Sequence, residues 1–339
     1  MTSDPDTIAI LYDFHVDHHP FTRALRNRHD GAVVERGVKH VSGHHTSAKI
    51  RQKLASFSAV LHALWYWKQY RAIICWQQDI GLVLAACARL LGKDDAPKIH
   101  ILTFIAPTRR RKGIVRKAIG FALGARQTAS IICYGRDEEA LYRQAFPEGG
   151  TRYARLMLSE EYPGIERFPA TRGEEYVAAG RSNRDYAFLI QYFASRPHLP
   201  LLIINDDPTL KADAPNIQIA RGVYRDEYMR LISSARALII PFADPTISAG
   251  QMVFLHALQL GKPAICTRSA CLADYLEDGV NGIAIEKTEK ALDAAITRLE
   301  DPLIYEQLSR SARADHQARF SFDRLARDVL FLAQRGKTA

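Results

Sequence analysis

The sequence has no apolar run approaching the roughly 18 residues that a membrane-spanning helix requires. Its first residues, MTSDPDT, lack the basic-then-apolar layout of a secretory signal, so export by that route is not expected. Cysteine is sparse and ill-suited to bridging: Cys75, Cys87, Cys133, Cys266 and Cys271 are odd in number, scattered and without a C-x-x-C pair. Reduced, buried thiols in a cytoplasmic protein are the expectation. Internal repeats and low-complexity segments are also missing. With 47% hydrophobic and 24% charged residues, the composition is that of an ordinary globular chain and not of a disordered or fibrous one.

At 339 residues the chain exceeds what one core usually supports, so two domains are expected. A net charge of +9 points to an anionic partner, with nucleic acid, a phosphorylated small molecule and an acidic membrane surface as the candidates.

Continuous apolar runs at residues 7–14, 72–76, 99–105 and 130–134 suit parallel strands covered on both faces. Helical patterns at 20–28, 47–68, 81–91 and 137–146 alternate with them. Residues 158–175 break the rhythm with Ser159, Pro163, Gly164, Pro169 and Gly173 and read as a linker. The alternation then restarts, with strands expected at 176–179, 201–205, 217–219, 237–241, 264–267 and 283–285. The α/β pattern predicts two Rossmann-like, doubly wound domains facing each other across a cleft: 1–165, 166–315, and a C-terminal helix in 316–339 crossing back to the first.

Residues 241–267, PFADPTISAGQMVFLHALQLGKPAICT, hold the densest signal. A strand ends at Pro241, and Ser248 is placed to N-cap a helix running to Leu260 and stopped by Gly261. The unpaired N–H groups of that helix start suit a phosphate, and the small Ala249 and Gly250, followed by Gln251, admit a close approach. Arg181 and Arg184 follow another strand and offer guanidinium groups to the same kind of ligand, unless they are simply solvated surface arginines. Residues 221–227 contain Val223 and Tyr224 on a loop ahead of a helix.

Those motifs, together with His256 through Pro263 and the Asp278-Gly279-Val280-Asn281-Gly282 turn, resemble the C-terminal half of the large retaining GT-B glycosyltransferase group often called family 4. The resemblance spans roughly residues 178–330. It implies a GT-B fold, a nucleotide-diphosphate sugar as co-substrate, no metal or other cofactor, and an acceptor held by the first domain. By position it places Arg181 and Arg184 on the donor diphosphate, stabilising the leaving group. It places Val223 at the base, with Tyr224 stacking there, and it places the group's two glutamates, which contact sugar and ribose, on Ser248 and His256. Both carboxylates are thus absent; Asp244 is a candidate substitute, and His256 either meets the ribose or is satisfied inside a packing face.

In the first domain, His15, Asp17, His18 and His19 crowd one loop. Metal-ligand spacing is lacking, so His15 or Asp17 is the candidate base for an acceptor hydroxyl. The basic run Arg109, Arg110, Arg111 and Lys112, with Trp65 and Trp67 at the end of a helix carrying Lys49, Arg51 and Lys53, suits an acceptor or anionic membrane surface. A core helix with a solvated basic face is the alternative. No nucleic-acid motif accompanies the charge.

The function these readings imply is transfer of a sugar from a nucleotide-diphosphate donor to a glycan acceptor, lipid-linked in one version, during polysaccharide assembly at the cytoplasmic face of a membrane. A sugar-nucleotide epimerase of the same architecture and a non-catalytic nucleotide-sugar binder are the rival readings.

Overall fold

The computed structural model describes residues 6–16, 19–37, 46–94, 96–105, 113–247 and 249–335, with 46–55, 151 and 335 described by their backbone alone. The chain divides into two compact units, residues 1–156 with 322–339, and residues 157–321.

In the first unit the chain runs β1 (Ile8–Leu11), α1 (Pro20–Arg26), β2 (Val33–Arg36), α2 (Thr46–Trp65), β3 (Ala72–Gln77), α3 (Gln78–Leu90), β4 (Lys98–Thr103), α4 (Ile114–Leu123), β5 (Thr128–Cys133), α5 (Arg136–Ala145) and β6 (Tyr153–Arg155). Among the described residues its sheet has six strands, all parallel, in the order β2-β1-β3-β4-β5-β6. Every residue of β1 is buried, as a strand covered on both faces demands. The order reverses between β1 and β3, and the loop carrying His15 leaves the carboxyl end of β1 at that point.

The second unit runs β7 (Tyr176–Ala179), α6 (Tyr186–Ala194), β8 (Leu201–Ile204), β9 (Ile217–Ala220), α7 (Arg225–Ser234), β10 (Ala237–Ile240), α8 (Gln251–Leu260), β11 (Ala264–Thr267), β12 (Ile283–Ile285), α9 (Glu289–Glu300) and α10 (Pro302–Asp315). Its six parallel strands, again counted among the described residues, are ordered β12-β11-β10-β7-β8-β9. Here the reversal falls between β7 and β10, which pair in register from Tyr176–Ala237 to Ala178–Ile239. Two loops therefore diverge side by side from the carboxyl ends of adjacent strands, the place where open α/β sheets leave room for a ligand.

A last helix, α11 (Phe322–Arg335), returns to the first unit. Phe322, Leu325, Ala326, Val329 and Leu330 join Ile8, Ile10, Tyr12 and Phe21 in one core. Arg28 Nε and Nη2 donate to the two oxygens of the Asp323 carboxylate, at 2.6 and 2.5 Å.

Three expectations are corrected here. The boundary lies at 156/157 and not at 165/166, because Met157, Leu158, Tyr162 and Ile165 pack on the second core; the return to the first unit begins at Phe322, six residues later than expected, since His316 and Phe320 are still buried in the second unit. Trp67 is no surface anchor: at 1% exposure it fills the first core, whereas Trp65 is 84% exposed. The helix after β10 starts at Gln251, with Gly250 in the N-cap position.

Candidate functional site

The β7 and β10 loops are sewn together before any ligand arrives. Asn183, in a left-handed conformation at φ 55°, donates from Nδ2 to Asp244 O at 2.8 Å and accepts at Oδ1 from Asp244 N at 2.8 Å. Asp185 N donates to Pro241 O at 2.9 Å, and Arg184 pairs with Phe242 in a short antiparallel bridge. Thr267 Oγ1 accepts from Phe242 N at 2.7 Å, which ties the end of β11 to the same loop. The Cys271 thiol donates to Ala249 O at 2.9 Å, holding the segment that enters α8.

Arg184 lies where these loops meet. Its Nε donates to Ala179 O at 3.0 Å and its Nη1 to Ser182 O at 2.8 Å. A Cβ on Gly180, at φ +118°, would come within 2.7 Å of Nη2, and one on Gly250, at φ +94°, within 3.3 Å of the same atom and 2.7 Å of the Phe242 ring. Glycine at both positions therefore makes the room this side chain occupies. Among the described residues no carboxylate pairs with Arg184, and burial lowers its pKa. A half-buried cation balanced only by neutral carbonyls, beside the start of a ten-residue helix, is a site arranged for an anion.

Arg181 is held differently. Its Nη2 meets Asp206 Oδ2 at 2.6 Å and Tyr224 OH at 3.2 Å, with the guanidinium 5.5 Å from the Tyr224 ring centroid. Asp206 also accepts from Tyr224 OH at 2.6 Å and Gly222 N at 2.9 Å. The Tyr224 hydrogen bond, then the Gly222 amide and Arg181, keep the Asp206 carboxyl below its ordinary pKa. Arg181, Arg184, Tyr186, Asn205, Asp206, Asp207 and Leu210 line a cavity of about 330 Å³. The two arginines expected to act together are thus brought together, and Tyr224 is tied to Arg181 as well as being 54% exposed. Val223 is half-buried against the second core.

His256, in α8, has only 12% of its side chain exposed, and neither ring nitrogen has a hydrogen-bond partner. Glu160 Oε1 is 3.7 Å from Nε2, outside bonding distance. The rings of Tyr162 and Tyr228 stand edge-on to it at 6.5 and 5.7 Å, and the Tyr228 hydroxyl is also buried and unpartnered. Asp244, the candidate substitute carboxylate, turns Oδ1 back onto its own loop, accepting from Thr246 N at 2.8 Å and Thr246 Oγ1 at 2.6 Å.

In the first unit His15 is exposed on the β1 loop. His19 is a structural cap: Nδ1 accepts from Phe21 N at 3.2 Å, and its ring packs against Tyr12, Trp76 and Phe322. Asp17, His18, Arg109, Arg110, Arg111, Lys112 and Ser248 lie outside the described residues. Sequence reasoning missed Asn183, Asp206 and Cys271, whose partners are far along the chain; the left-handed Asn183 before an N-capping Asp185 was the one local signal.

Residues 179–301, running from the end of β7 through α9 and so including both loops, match the family model of glycosyl transferases group 1. The whole chain has the GT-B fold. It is similar to sucrose-phosphate synthase from Thermosynechococcus elongatus (14% identity, TM-score 0.66, covering 97% of this chain and 98% of that one). It is similar also to Anabaena HepE, solved with UDP (14%, 0.65, 97% and 100%), and to WaaG, a glycosyltransferase involved in lipopolysaccharide biosynthesis (14%, 0.57, 95% and 99%). Fold and matched segment agree: the chain has the GT-B fold, and its second unit carries the match to glycosyl transferases group 1. No match is found among the curated proteins.

Proposed function

We propose that the chain transfers a hexosyl group from a nucleotide-diphosphate donor, gripped by the second unit, to a glycan acceptor held by the first. The observation that carries this reading is Arg184, a cation with no carboxylate partner among the described residues, between two glycine-bearing loops and beside the start of α8. HepE, of the same fold, has been solved with UDP and with UDP-glucose.

Departure of the diphosphate is the step that needs help. Arg184, Arg181 and the first amides of α8, at Gln251 and beyond, supply fixed positive charge where negative charge develops. These groups do that work without a metal and without a side-chain nucleophile. The orphaned nitrogens of His256 are suited to a donor hydroxyl, in place of the carboxylate that position lacks. His15, exposed on the β1 loop, is the proposed proton acceptor for the attacking hydroxyl. The group 1 match favours transfer over the epimerase and passive-binder readings.

A lipid-linked acceptor fits the surface of α2. Phe57, Leu61 and Trp65 recur every four residues and are 45%, 53% and 84% exposed, on a helix whose first turns carry Lys49, Arg51 and Lys53. No helix among the described residues is long and apolar enough to cross a membrane, so contact would be peripheral.

The deciding test is a thermal-shift titration with UDP, UDP-glucose and other nucleoside diphosphates on wild type and Arg184→Met. Wild type should be stabilised, and the variant should bind on the order of tenfold to a hundredfold more weakly, the loss of one charge-assisted contact of about 1.5–3 kcal/mol. Indifference of the wild type to every nucleoside diphosphate at millimolar concentration would overturn the proposal.

A further inference from the structure

Helix α8 carries no carboxylate of its own, and Asp244 ahead of it is turned onto its own loop. A carboxylate does stand beside His256, and it comes from the segment that opens the second unit. Glu160 Oε1 lies 3.7 Å from His256 Nε2, with 25% of the Glu160 side chain exposed.

Glu160 belongs to no helix or strand, yet its backbone is fixed on both sides. Its N–H donates to Phe320 O at 3.2 Å, and its carbonyl accepts from His316 Nε2 at 2.8 Å. Two residues on, Gln259 of α8 clamps Tyr162: Oε1 accepts from Tyr162 N at 2.8 Å, and Nε2 donates to Tyr162 O at 3.3 Å. Neighbouring carboxylates are committed. Asp226 accepts from Tyr162 OH at 2.5 Å and Arg167 Nη1 at 2.7 Å, and Asp315 accepts from Asn281 Nδ2 at 2.6 Å and Arg319 Nη1 at 3.0 Å. The Glu160 carboxylate makes no hydrogen bond among the described residues. The fold thus holds in place an acceptor with open lone pairs that solvent reaches.

Its position relative to the proposed phosphate site decides what it can meet. The start of α8 adjoins Arg184, and His256 lies five residues beyond Gln251, about 7–8 Å along the helix axis. The His256 ring stands 5.7 Å from that of Tyr228 in α7, the helix that follows the loop of Val223 and Tyr224. Glu160 is therefore on the base side of the phosphates, about one sugar away. The sugar there is a ribose, whose two adjacent hydroxyls are both donors. One imidazole meets one hydroxyl; a carboxylate accepts from two. Resting on the donor reading above, we infer that Glu160 accepts from the 2′- and 3′-hydroxyls of the bound nucleotide and makes the site selective for ribonucleotides over deoxyribonucleotides.

The test is calorimetry at fixed ionic strength with UDP, GDP, ADP and CDP, each against its 2′-deoxy counterpart, and with inorganic pyrophosphate. It is run on wild type, Glu160→Gln and Glu160→Ala; the exposure of this side chain lets both variants fold. Wild type should bind its preferred ribonucleotide on the order of tenfold more tightly than the deoxy form, the loss of one charge-assisted hydrogen bond. Glu160→Gln should narrow that ratio and Glu160→Ala should abolish it, through weaker binding of the ribonucleotide. Pyrophosphate should bind both variants at least as tightly as wild type, because a negative charge has gone. The inference is overturned by a wild type that binds ribo and deoxy forms alike, or by a preference that survives in Glu160→Ala. It is overturned also by variants that lose pyrophosphate and nucleotide to the same degree, since Glu160 is then structural only. A wild type that binds none of these nucleotides fails the donor reading itself, and this inference with it.

Discussion

Lys262 offers a quantitative test of how the second unit is held together. The side chain is 0% exposed, and Nζ donates to Thr171 O at 2.7 Å, Ala235 O at 2.6 Å and Tyr305 OH at 3.4 Å. It thus fastens the segment ahead of β7 and the end of α7 to the turn after α8. Among the described residues no carboxylate pairs with it, and burial lowers its pKa from 10.5 to about 8. At 1.36 kcal/mol per decade this difference is worth on the order of 3 kcal/mol. The folded state gives up its proton near pH 8 while the unfolded chain keeps it to about 10.5, so unfolding takes up a proton in that window. Stability contributed by this site therefore rises with pH from about 8 to 10.5 and is flat below. Buried thiols such as Cys75 and Cys266, and phenols such as Tyr228, have raised pKa values and act with the opposite sign. Comparison with Lys262→Met cancels them. Urea unfolding of both proteins across this range should show the wild type gaining up to about 3 kcal/mol on the variant as pH rises. A difference that stays constant would refute the argument.

Asp206→Asn should release Arg181 from its exposed pair; the urea midpoint should stay close to that of the wild type, while a changed KM for donor would register the altered charge. Asn183→Ala removes both bonds to Asp244, so stability should drop by about 1–2 kcal/mol, and nucleotide affinity should fall with it in calorimetry. Trp65→Ser should leave the melting temperature unchanged and weaken sedimentation with anionic vesicles; equal sedimentation would discard α2 as the contact.

Strands β7, β11 and β12 are legible to the residue because each is a short apolar run bounded by turn residues. Edge strands β2 and β6 escape such reading: Val33–Arg36 is only partly buried and ends in charge, and Tyr153–Arg155 is three residues long. Helix α4 was hidden by Arg116 and Lys117, which broke an apolar face that Ile119, Ala122 and Leu123 complete. Position after a strand was enough to expect Arg181 and Arg184 side by side, and they line one cavity. Their different settings were not visible, because Asp206 and Gly250 reach them through the sheet order and not through spacing. Trp65-Tyr66-Trp67 misled for a related reason: neighbours at the end of a helix point different ways, and only one of the two tryptophans faces out. Gly250 occupies the N-cap position of α8 in a left-handed conformation that glycine adopts readily, a placement that the small residues around it did not single out in the sequence.

The contrast between the two site arginines has a kinetic meaning. In the proposed donor site Arg181 would exchange Asp206 for a phosphate each time a donor arrives, with the reverse exchange available to help the product leave. Among the described residues Arg184 has no such carboxylate to give up. The work of stripping water from it is done once, when the protein folds, so under that proposal an incoming diphosphate would meet a field already in place and one latch that can be opened again.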